Sequence, residues 1–200
     1  MDWSRAATVY DWQLPLEWPA LAVAVAFAEP QGDDDLLDVG TGTGALLREL
    51  ARRPDRPRRV IGVDASAAML ERVPALPEGW TVETADARRL PFADGAFAVV
   101  TAVYLLHVVD GATRRGIIRE CRRVLRPGGR LVTVTPALPR TRVARMLYAP
   151  LAAVAGSAVG PAAGFRPLDP RAELEEVTFT IAASTYVGRG YPSLCVLARR

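Results

Sequence analysis

Apolar residues fall into two alternating rhythms along the 200-residue chain. Short, nearly continuous apolar runs occupy residues 36–39, 60–63, 82–84, 98–102 and 130–135. Runs of that length and density predict strands buried on both faces. Between them, apolar positions recur at helical spacing over residues 44–52, 66–72 and 113–125. Strand and helix taking turns in this way implies right-handed crossovers and a mostly parallel sheet with helices on both faces, an α/β fold. Val99, Val100, Val103 and Leu106 make the fourth run the most apolar, as suits a central strand. Two more strands are predicted at 179–187 and 194–199, around the turn Gly188-Arg189-Gly190-Tyr191-Pro192. Residues 1–32 read as a helical cap, and Asp33-Asp34-Asp35 as a solvated acidic turn. One domain over residues 1–200 is expected at this length.

Residues 141–166 break the rhythm. Val143, Met146, Leu147, Leu151, Val154 and Val159 lie among alanines and glycines, interrupted by Arg142, Arg145 and Pro150. The stretch is too broken for a membrane span. It reads either as a helix pair packed on the sheet edge or as a lid over a lipophilic substrate, with peripheral membrane contact left open.

The first predicted strand runs into Asp38-Val39-Gly40-Thr41-Gly42-Thr43-Gly44, and an apolar helix pattern follows at once. Strand, glycine turn and helix start together make a nucleotide-cofactor site. The spacing from Gly40 to Ala45 also fits the dinucleotide pattern. Asp38 argues against a pyrophosphate, which a fixed carboxylate would repel. A ligand bearing an ammonium and no phosphate, such as S-adenosylmethionine (SAM), would be attracted. A tight turn with a solvated Asp38 is the bland alternative.

Composition narrows the picture further. Half of the residues are hydrophobic, so a globular core is expected. The net charge is only +3, and every basic residue is Arg. Arg without Lys, among abundant Ala, Gly and Pro, points to codon bias rather than to a nucleic-acid surface. Cys121 and Cys195 are far apart and read as buried free thiols. With a single His there is no metal constellation. The N-terminal residues show no signal-peptide pattern, so the cytoplasm is the default expectation.

Five blocks in order resemble the class I SAM-dependent methyltransferases, and within them the type 11 group that includes the ubiquinone/menaquinone biosynthesis methyltransferases. They are residues 36–44, residues 60–70 with the Asp-x-Ser-x-x-Met-Leu continuation, residues 85–92, residues 97–107 with a Leu-His ending, and residues 120–131 with Arg126-Pro127-Gly128-Gly129. The resemblance is dense from 36 to 136 and loose at both ends. It implies a Rossmann-like seven-stranded sheet whose last strand is inserted antiparallel, SAM as cofactor, and methyl transfer to a small acceptor; the apolar segment 141–166 leaves a lipophilic acceptor open. Two positions depart from the pattern: Ala98 stands where relatives often carry Asp, and the loop after His107 is shorter.

On this resemblance Gly40, Thr41, Gly42 and Gly44 approach the methionyl and ribose parts of the cofactor, and Asp38 meets its amino end. Asp64 accepts from the ribose hydroxyls, or else caps a helix. Ala65 and Met69 flank adenine. Asp86 accepts from the adenine amino group beside Ala87, or else is an ordinary turn residue. Thr101, with Ala102, ends the fourth strand over the cofactor. His107 is a candidate proton acceptor, with a structural hydrogen bond as the alternative. Tyr10 covers the SAM carboxylate and Asp11 faces the substrate, or Tyr10, Trp12 and Trp18 merely pack on the core. Displacement at a sulfonium demands alignment and dryness more than a catalytic side chain. The rivals are an NAD-linked oxidoreductase on a similar sheet, a non-catalytic SAM-binding protein, and an RNA or protein methyltransferase. For the last, the sequence Val103-Tyr104-Leu105-Leu106 lacks the Asn/Asp-Pro-Pro-Tyr/Phe motif.

Overall fold

A computed structural model describes residues 14–31, 33–142, 146 and 166–200. Tyr10, Asp11, Trp12 and nearly all of 141–166 lie outside the described residues, and with them the Tyr-Asp pair and the lid.

Helix α1 covers Leu14–Ala28. Strand β1 (Asp35–Val39), helix α2 (Ala45–Ala51), strand β2 (Arg59–Asp64) and helix α3 (Ala67–Leu70) follow. Then come β3 (Trp80–Thr84), β4 (Phe97–Val103), α4 (Gly111–Val124) and β5 (Leu125–Pro136). The chain ends with α5 (Arg171–Glu176), β6 (Thr180–Val187) and β7 (Ser193–Arg199). The seven strands lie in the order β3-β2-β1-β4-β5-β7-β6. Only β7 runs antiparallel to its neighbours, slotted between β5 and β6. The expected sheet and its inverted last strand are therefore both present.

Two apolar layers clamp the sheet. On one face α1 and α2 pack Leu21, Ala24, Leu46, Leu47 and Leu50 against Leu36, Val99, Val132 and Val134. On the other, α4 and α5 pack Ile117, Ile118, Cys121 and Leu174 against Leu37, Val100, Leu131 and Val196. Neighbouring positions on β1, β4 and β5 thus serve opposite faces, which is why those strands read as unbroken apolar runs. Both cysteines are free and buried.

Helix α4 shows how a sequence signal becomes a boundary. The Asp110 carboxylate accepts from the backbone N–H groups of Ala112 and Thr113, each at 2.9 Å. Those bonds satisfy orphan donors of the first turn, so the helix begins at Gly111 rather than at Thr113. They also hold the Asp110 carboxyl below the usual carboxylate range. Helix α5 was not apparent from the sequence. It buries only Leu174 and is tied to α4 by Arg114, whose Nη2 donates to Glu173 Oε1 at 2.9 Å.

The acidic turn differs from the expectation of solvated carboxylates. Asp34 is buried, and its carboxylate pairs with Arg126 at 3.0 Å and Arg130 at 2.6 Å. The Arg126-Pro127-Gly128-Gly129 block thereby closes the amino end of the sheet. A Cβ on Gly129 would sit 2.8 Å from the Arg126 carbonyl, so only glycine fits where β5 kinks beside β4. Trp18 also departs from simple core packing: it is half exposed, with the Arg52 guanidinium 5.5 Å above its ring.

Candidate cofactor and active site

Strand order reverses between β1 and β4, so their carboxyl ends open a crevice where open α/β sheets take ligands. Asp38 and Thr101 face each other across that seam. The Thr101 hydroxyl donates to Asp38 Oδ1 at 2.7 Å. Thr101 is fully buried and β4 runs on to Val103, so the strand ends later than the sequence pattern predicts. The Thr101 hydroxyl holds the Asp38 carboxylate in place.

Asp38 is itself buried, and desolvation pushes its pKa up to about 6. The hydroxyls of Thr101 and Thr41 oppose that rise, and the nearby Asp64 charge adds to it. Among the described residues the Asp38 carboxylate faces hydroxyls rather than a cation.

The glycine turn departs from β1 with N–H groups of Gly40 and Thr41 donating to the Val63 carbonyl at 2.8 and 2.9 Å. Gly40, Gly42 and Gly44 all have positive φ, at 74°, 56° and 79°. A side chain on Gly40 would strike Leu105 at 2.9 Å, whereas at Gly42 a Cβ would meet nothing within 4 Å. Gly42 therefore needs glycine for its backbone angle and leaves bare backbone facing open space.

Asp64 closes the other wall. Its Oδ2 accepts from the Gly42 N–H and its Oδ1 from the Ser66 N–H, both at 2.9 Å. The carboxylate thus ties the end of β2 to the glycine turn and to the start of α3. Each oxygen keeps acceptor capacity for a further donor. Ala65 is exposed beside it and Met69 is buried on α3. Asp86 is turned toward Arg88, which donates through Nη2 to Oδ2 at 2.7 Å. That contact holds its carboxyl below the usual range. Ala87 packs against the α4-side core.

His107 is buried, its ring edge-on to Tyr104 with 6.2 Å between centroids. Tyr104 packs the same way on Tyr191 at 5.9 Å and bonds through its hydroxyl to Ser193 Oγ at 2.7 Å. His107 therefore belongs to a packed aromatic cluster that joins the end of β4 to the β6–β7 turn.

Two residues of this region carry no site role in the sequence reading. Tyr104 takes a positive φ of 52° immediately after β4 and lines the crevice. Glu17 lies on the buried stripe of α1 and lines the same cavity as Asp38 and Gly40. Its signal was available, since positions 17, 20, 21, 24, 25 and 28 form one helical face with a single acid.

Residues 36–129 match the family model for a methyltransferase domain. The ubiquinone/menaquinone biosynthesis C-methyltransferase UbiE of Desulfotalea psychrophila is 38% identical over 121 residues, covering 60% of this chain and 48% of that protein. A demethylmenaquinone methyltransferase of Thermotoga maritima is 35% identical over 109 residues, covering 54% of this chain and 46% of that protein. The chain thus spans about half the length of the curated relatives it matches. A crystal structure of a SAM-dependent methyltransferase from Methanosarcina mazei superimposes with a TM-score of 0.66 at 23% identity, over 86% of this chain and 94% of that one. Five ordered sequence blocks, the inverted seventh strand and a glycine turn flanked by Asp38 and Asp64 agree with these similarities, and over residues 36–129 the chain resembles the class I SAM-dependent methyltransferases in sequence and in fold.

Proposed function

We propose that the protein binds SAM in the β1–β4 crevice and transfers its methyl group to a small, lipophilic acceptor. The observation that carries the reading is the Asp38 carboxylate, buried beside an open glycine turn and held by hydroxyls rather than by a cation. A pyrophosphate would be repelled there, so the nicotinamide alternative is disfavoured. The residues present fit SAM: Asp38 suits an ammonium, the bare backbone at Gly42 suits close approach, and Asp64 suits a ribose diol. Ala65, Met69, Asp86 and Ala87 are the candidates for the adenine side. When bound, SAM supplies an activated methyl group on a sulfonium.

The work left to the protein is to align the acceptor with that methyl and to exclude water. Leu105, Val103 and the Tyr104 cluster give the end of β4 an apolar lining suited to it. The acceptor class rests on the relatives, which are named as quinone-pathway methyltransferases, and on the apolar composition of residues 141–166. We assign the lid role to that segment, Tyr10 to the SAM carboxylate, and proton acceptance to His107 or Asp11 as parts of the same proposal. The reading places the reaction in the cytoplasm, with peripheral membrane contact as a variant. Among the described residues no helix is long and apolar enough to cross a membrane.

Calorimetry should show SAM binding at micromolar strength, about −8 kcal/mol. Gly42→Val should abolish it by filling the open space and straining the turn. Turnover should then rise with alkyl length across a series of phenolic acceptors. NADH binding without SAM binding overturns the cofactor, and indifference to alkyl length overturns the lipophilic acceptor.

A further inference from the structure

Glu17 is a costly residue for the place it occupies. It is 4% exposed, on the apolar stripe by which α1 packs on the sheet. Among the described residues no hydrogen-bond donor or cation meets its carboxylate. A buried carboxylate without a partner gives nothing to stability. An Ala or Leu at this position would extend the stripe, so packing does not account for the acid.

The cavity beside it indicates its use. Glu17, Asp38, Gly40, Thr41 and Tyr104 line a pocket with about 20 Å³ of room for a water-sized group. That is space for one small polar group, not for an acceptor ring. Two acids from different elements, α1 and β1, border one small space.

We infer that Glu17 is a cofactor-binding residue which, with Asp38, encloses the α-ammonium of SAM, so that α1 forms the acidic roof of the amino-acid subsite. The inference rests on the reading of SAM as the ligand. A single ammonium between two carboxylates is attracted by both and supplies the donors that the described residues do not offer Glu17.

The electrostatics agree. Burial pushes Glu17 up to about 7 and Asp38 to about 6, so without a cation between them the two acids retain protons near neutrality. The other titratable groups near Glu17 do not compete for this role. Tyr104, at the end of β4, is pushed further up by burial and by the Glu17 charge. Cys195, on β7, is pushed up to about 12. At the cavity α2 brings Ala45 and Leu46, and β5 meets the core under α1 with Val132 and Val134. A cation entering the pocket therefore displaces protons from the carboxylates.

The test compares ligands with and without the amino-acid end. Glu17→Gln keeps the size of the side chain and should weaken SAM at least about tenfold. It should leave 5′-methylthioadenosine, which lacks the ammonium, within about twofold. Calorimetry of the unmodified protein in two buffers at pH 7 gives an independent reading that needs no variant. SAM should release protons, up to about half per molecule bound, and 5′-methylthioadenosine none. Equal weakening of both ligands, an unchanged SAM affinity, or SAM binding without proton release overturns the role of Glu17. Failure of the unmodified protein to bind SAM at all overturns the cofactor reading itself.

Discussion

The two ends of β1 carry buried carboxylates in opposite electrostatic settings. At the amino end, Asp34 is met by the guanidinium groups of Arg126 and Arg130, which bind the start of β1 to the start of β5. At the carboxyl end, Asp38 is equally buried but is met by the Thr101 hydroxyl, with another acid, Asp64, nearby. Among the described residues, one acid meets a cation and the other does not. On the proposed function, the difference separates a structural edge of the sheet from a binding edge. Charge completed internally holds the fold together, and charge left incomplete is what a ligand completes.

The largest effect should come from breaking the neutralised end. Asp34→Asn strips the partner from Arg130, which is only 17% exposed, and should cost about 3 kcal/mol. In a protein of this size that lowers the melting temperature by about 10 °C. SAM affinity of the folded protein should stay the same by calorimetry. A loss of affinity without a loss of stability would erase the contrast between the two ends.

The second effect is a pH dependence set by the incomplete end. Asp38 and Glu17 titrate at about 6 and about 7 when folded, above the ordinary 3.8 and 4.5. Between the ordinary and the raised values the folded chain keeps protons that the unfolded chain has lost. Stability of the ligand-free protein should therefore fall as pH rises from about 4 to about 7 and then level off. The fall is on the order of 3 kcal/mol for each group. Asp38→Asn should remove the Asp38 share of the fall, which is complete by about pH 6, leave the Glu17 share, and raise the melting temperature at neutral pH, while weakening SAM. A melting profile unchanged by that substitution would show that Asp38 carries no desolvation penalty.

The smallest effect should come from Asp64, which is half-buried and meets two backbone donors. Asp64→Ala should weaken SAM by about tenfold, or about 1.4 kcal/mol. Loss of its ties to Gly42 and Ser66 should shift the melting temperature by a few degrees. Unchanged SAM affinity would make Asp64 a loop fastener alone.

Much of this was determined by the sequence itself. Continuous apolar runs specify strands buried on both faces, and the turn residues between them specify where the strands end, because both are local properties of the chain. The glycine turn was legible for the same reason. Its three glycines each adopt a backbone angle that other residues resist. The acids at positions 38 and 64 follow from chain order, since each stands at the end of its strand.

Long-range proximity was decided by the tertiary structure alone. Nothing local distinguishes Asp34 from its neighbours Asp33 and Asp35. Its burial follows from Arg126 and Arg130 arriving from β5, some ninety positions later in the chain. The bond from Thr101 to Asp38 exists only because β1 and β4 are set side by side. Helix α5 is held by Arg114 of α4 rather than by its own apolar pattern. Glu17 could be placed on a face by periodicity, but only the packing of α1 over the β1–β4 seam brings it to the cavity of Asp38. Desolvation depends on what surrounds a charge in space, so a carboxylate's proton affinity and its use as a binding group are settled only when the chain has folded around it.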